Sequence, residues 1–285
     1  MMKFSKYAII TIIGASLSFL IFAIILKLSN ISVDSLVNLQ NNILKTAIVQ
    51  TAGMSTTASL AAVLSEFIGL FISFLFLSLG FVFLSTYGFF IKDSKESRFK
   101  DINFWVGFIT GIIALIIFLT LFTSMVSIFL SVAVLISCIY IIPLANTYGK
   151  ELKKWIFFRV GSHSVNKALL IINLLIALGI FVVVLSNQQY YKQSFQDDMT
   201  NVVTSMIPNN TMTDNTAIKE QLSLQIKNAL QSSPIFESYF RWLPVISALG
   251  IWVVLEFLRG LIFSNFAGLF STIMIRLKNR IDKKI

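Results

Sequence analysis

The sequence is short of charge. Of its 285 residues only 13% are Asp, Glu, Lys or Arg, against roughly a quarter in a soluble domain. Hydrophobic residues make up 56%, and that imbalance excludes an ordinary water-soluble chain. Histidine occurs once, as His163, and cysteine once, as Cys138 inside an apolar run. A single cysteine excludes an intrachain disulfide and a cysteine zinc cluster. The lone histidine falls in GSHS, Gly161 to Ser164, read as a solvated turn, where it serves neither as catalyst nor as ligand. HExxH, Walker and nucleophile-elbow motifs are missing, and no carboxylates cluster in the apolar runs. Asp197 and Asp198 are adjacent in what reads as an acidic linker. The expectation is therefore no catalytic residue, no metal and no cofactor, which disfavours an enzyme.

What the sequence has is apolar length. A bilayer's hydrocarbon core takes about 20 helical residues, and apolar runs cover 8–26, 67–91, 104–146, 168–187 and 243–262. The third run would be roughly twice a bilayer as one helix, so it is read as a hairpin of 104–123 and 126–146 turning near Thr123-Ser124. The fold class predicted is an all-α integral membrane protein: one membrane domain, 1–285, built as a six-helix transmembrane bundle.

Lys and Arg test that count, because they gather in cytoplasmic loops. Six spans put Lys3 and Lys6, the loops holding Lys92 to Lys100 and Lys150 to Lys167, and the tail from Arg276 to Lys284 on one side. That side carries 16 of the 23 basic residues, and the other carries six. Without the hairpin the two most basic internal loops would face opposite sides. Both termini are thus expected to be cytoplasmic, in a cell or cytoplasmic membrane. The net charge of +10 reads as a topology signal and as contact with lipid headgroups. Nucleic acid is not an expected partner.

Two long outer segments, 28–66 and 188–241, remain. The first has an amphipathic pattern from Val33 to Ala47 and then the small-residue stretch TAGMSTTASLAA, read as the outer end of the second helix. The second holds an amphipathic stretch near Ala217 to Leu230, read as a small outer helical cap. Interfacial helices are expected in KKWIFFRV, Lys153 to Val160, and in the amphipathic tail 263–285, the latter along the cytoplasmic face.

In IWVVLEFLRGLIF, Ile251 to Phe263, Glu256 and Arg259 interrupt an apolar run at i,i+3 spacing, which places them on one helix face. Measured by helical rise from the expected inner boundaries, Asn173, Thr110 and Tyr140 fall at the same depth, in the inner third of the bundle. The five residues are read as one intramembrane polar layer, either a structural lock or a solute site. GFITG places Gly107 and Gly111 at GxxxG spacing for helix packing. Two functions follow. The leading one is a non-catalytic subunit or assembly or scaffold factor of a membrane complex, with the lipid bilayer and other membrane subunits or its own copies as partners. The alternative is an ion channel or small-solute permease working at the polar layer.

Overall fold

The computed structural model describes residues 5–29, 60–91, 98–205 and 232–282, together with 33, 34, 37, 221, 224, 225, 228 and 229. The TAGMSTTASL stretch up to Ser59 and most of the expected cap helix lie outside the described residues. Those described are 95% helical, without a strand. The helices are α1 Lys6–Leu28, α2 Leu60–Phe90, α3 Arg98–Leu121, α4 Met125–Glu151, α5 Ile156–Ser186, α6 Gln188–Ser205 and α7 Pro234–Leu258. A π-helical turn at Arg259–Phe263 then leads into α8, Ser264–Asp282. Among the described residues, six stretches are long and apolar enough to cross a membrane, the last running from Pro234 to Ile281 through α7, the π-turn and α8.

Local chemistry explains several boundaries. Ser5 caps α1 by accepting from the Ala8 N–H at 3.1 Å, satisfying a donor that the first helical turn leaves free. The turn inside the long apolar run falls at residues 122–124, where Ser124 caps α4. The start of α5 differs from expectation. GSHS is not a turn but lies inside α5, which begins at Ile156. A lone interior glycine costs a helix only about 1 kcal/mol, and Gly161 recovers it through packing. A Cβ there would lie 2.3 Å from the Ser271 Cβ of α8.

The chain forms two compact units, one from Met1–Ile31, Ala61–Gly179 and Ile251–Ile285, the other from Ser32–Leu60 and Ile180–Gly250. In the first, α1 and α2 interlock: Gly14 receives the Phe83 ring and Gly80 the Phe19 ring. Phe22 packs edge-on against Phe74 and Phe118. Between α3 and α4 the backbones themselves touch, since a Cβ on Gly107 would lie 2.5 Å from the Cys138 carbonyl oxygen and one on Gly111 3.1 Å from Leu135 Cα. The glycine face of α3 is therefore filled by α4 of the same chain. α8 buries Ala267, Ser271 and Ile275 and leaves Leu269, Ile273, Leu277 and Ile281 exposed. Its far end is clasped where Lys278 Nζ stands 3.9 Å from the Tyr7 ring centre and 3.6 Å from that of Phe90.

In the second unit the fully buried Tyr191 donates its hydroxyl to Asp34 Oδ1 at 2.6 Å, tying α6 to the chain that follows α1. Burial first, and then the bond to Asp34, push this phenol above its ordinary range. Phe195, one turn along α6 from Tyr191, packs against Phe236 and Phe240, which also touch each other.

The glycine contacts predict a contrast. Gly107→Leu should destabilise the protein by about 1–3 kcal/mol through overpacking. Gly260→Ala, with nothing within 4 Å of its added Cβ, should be neutral or stabilising by up to about 1 kcal/mol. Thermal unfolding in detergent reads both, and equal effects would contradict the packing described.

Candidate functional site

Glu256 and Arg259 lie one turn apart near the end of α7, and both face α5. Arg259 Nε donates to Glu256 Oε2 at 2.8 Å, and Nη2 donates to the same oxygen. The other carboxylate oxygen, Oε1, accepts from Asn173 Nδ2 at 3.2 Å. Arg259 Nη1 donates to the Asn166 backbone carbonyl at 3.2 Å and to the Asn166 side-chain oxygen. The two charged side chains are only 16% and 17% exposed. Burying an ion pair is costly unless the remaining donors and acceptors are also satisfied, and here both carboxylate oxygens and all three guanidinium nitrogens are engaged.

The π-turn makes this arrangement continuous with α8. The Ser264 N–H bonds to the carbonyl of Arg259, five residues back. An α-helix turns about 100° per residue, and a π-turn inserts one residue. On an uninterrupted α-helix the face of Ser264, Ala267, Gly268 and Ser271 would point roughly 100° away from Glu256 and Arg259. With the insertion, both faces meet α5. Ser264 Oγ lies 2.8 Å from Ser162 Oγ, and a Cβ on Gly268 would meet the Phe158 ring at 2.6 Å.

The level of the site along its neighbouring helices follows from the register of α5 on α4. Ser137 Oγ donates to the Ala168 carbonyl at 3.2 Å, Gly179 packs on Phe129, and the His163 and Tyr148 rings lie 5.6 Å apart. Ala168 is thus level with Ser137, near the middle of α4, and Asn166 and Asn173 lie on either side of that level. The inner-third estimate took Ala168 as the inner end of α5. In the structure α5 begins twelve residues earlier, at Ile156, so Asn166 and Asn173 lie near the middle of the helix's own length.

Of the expected members, Glu256, Arg259 and Asn173 come together. Thr110 is buried on α3 but donates to its own helix, at Val106 O, 2.8 Å away. Tyr140 is 48% exposed on α4, so its phenol is not gathered into the layer. Asn166 was missed because it sat beside an expected turn. The available signal was its spacing: residues 166 and 173 are two turns apart on one helix face. Comparison with protein-family models, curated proteins and solved structures finds no match for this chain.

Hydrogen bonds to charged groups are worth about 1.5–3 kcal/mol. Asn173→Ala should therefore destabilise the protein by about that much, whereas Thr110→Val, losing only a bond within its own helix, should cost less than about 1.5 kcal/mol. Unfolding midpoints measured side by side decide it, and a Thr110 effect equal to that of Asn173 would contradict the assignment.

Proposed function

We propose that this polytopic chain is a non-catalytic subunit or assembly or scaffold factor of a membrane complex, set in a cell or cytoplasmic membrane with both termini cytoplasmic. The observation carrying this reading is how interior polarity is used. The carboxylate and guanidinium are consumed by one another and by two asparagines. Several interior hydroxyls turn back on their own helices, as Ser18 does to the Gly14 carbonyl, Ser73 to Leu70, Thr86 to Phe83 and Ser131 to Ser127, and others bond between helices, Ser137 to the Ala168 carbonyl and Ser162 with Ser264. A solute path needs polar groups turned toward it, and these hydroxyls spend their protons on acceptors of the bundle itself. Outward, the first unit's part of α7 and the helix that follows it leave Val253, Phe257, Leu261 and Leu269 exposed, available to lipid or to neighbouring subunits.

The second reading, an ion channel or small-solute permease, draws on one observation: intramembrane charge at mid-length is the usual mark of a transport site. Purification from native membrane in mild detergent separates the two. A stoichiometric partner chain is expected, and a solitary oligomer that passes ions or solutes after reconstitution would overturn the subunit reading. Orientation is read in the same membranes on a Cys138→Ser background. Lys154→Cys should react with an impermeant thiol reagent only after the membrane is opened, and Gln193→Cys while it is intact. Both positions are exposed, and labelling of both from one side would sink the topology.

A further inference from the structure

The turn between α4 and α5 joins two helices long and apolar enough to cross a membrane, so, on the membrane reading above, it stands at a bilayer surface. Its residues are unusual for a tight connection. Trp155 adopts φ 56°, a left-handed conformation that bulky residues rarely take, and its side chain is 80% exposed. Lys150, Lys153, Lys154 and Arg159 around it are exposed as well, with Glu151 the sole acid from 150 to 159. The backbone thus turns an indole outward within a ring of cations. Indoles favour the headgroup level of a bilayer, while lysine and arginine near that surface favour anionic lipid by about 1 kcal/mol each.

We propose that the α4–α5 turn is a binding surface for anionic phospholipid headgroups, with Trp155 inserted at the interface and Lys153, Lys154 and Arg159 holding the phosphates. A neutral bilayer would accept the indole but leave the cations without counter-charges. The inference rests on the chain being a membrane protein but not on its being a subunit, so a missing partner chain would leave it standing.

The test uses full-length protein with Trp105, Trp242 and Trp252 changed to Phe, so that Trp155 alone fluoresces. It is reconstituted into phosphatidylcholine vesicles containing either brominated phosphatidylglycerol or brominated phosphatidylcholine as quencher. Quenching by the anionic lipid should reach half its maximum at a mole fraction at least tenfold lower than quenching by the neutral one, and high salt should erase the difference. The variant Lys153→Ala, Lys154→Ala, Arg159→Ala should lose that preference yet keep ordinary quenching by phosphatidylcholine, which also reports that it has folded and inserted. Equal quenching by both lipids, or a preference that survives the triple variant, would overturn the proposal. Absence of quenching by either lipid, as expected if the turn binds a soluble acidic partner, would overturn it too.

Discussion

The first unit is organised around one carboxylate, one guanidinium and two asparagines. An unpaired charge in an apolar interior costs several kcal/mol, so Glu256 and Arg259 are tolerated only where α5 supplies matching groups. Asn166 and Asn173 supply them from one face, two turns apart, and this restricts α7 to one rotation and one height along α5. Everything beyond Leu258 inherits that register. The π-turn at Arg259 rotates the following face so that α8 reaches the same neighbour through small residues, Ser264 on Ser162 and Ser271 beside Gly161. The Lys278 ammonium between Tyr7 and Phe90 fixes the far end. A break at the polar layer would therefore be felt along the whole length of α8.

Much of this was legible in the sequence because it depends on local chemistry. Apolar run length gives six helices that can span a membrane, and the over-long third run required a turn close to where Ser124 caps α4. The i,i+3 spacing of Glu256 and Arg259 implied their pairing. What was not legible depends on contacts between distant residues. Gly161 reads as a turn residue until Ser271 is placed against it, and only that contact explains why α5 runs unbroken from Ile156. A π-turn has no composition of its own here: RGLIF is apolar apart from Arg259, and its extra residue is justified by the two faces it aligns. Tyr140 was included on depth alone, yet depth does not fix which way a side chain points, and its rotational position leaves it exposed.

These features bear on function through where polarity is spent. Within the first unit, several buried hydroxyls donate to their own helices or bridge two helices, and Glu256 and Arg259 pair with one another, so this polarity serves cohesion. Groups left for interaction lie outside, in the apolar face of α7 and α8 and in the basic turn around Trp155. That division suits a chain whose work is to hold position in lipid and to support neighbours.

The central claim is that Glu256 and Arg259 form a lock whose members are costly only when separated. Thermal unfolding of Glu256→Leu, Arg259→Leu and the double variant in the same detergent tests it most directly. Each single change should destabilise by about 3–5 kcal/mol, because the remaining charge loses its partner. The double variant should lose less than either single one. A double variant whose loss equals the sum of the two single losses would contradict the account.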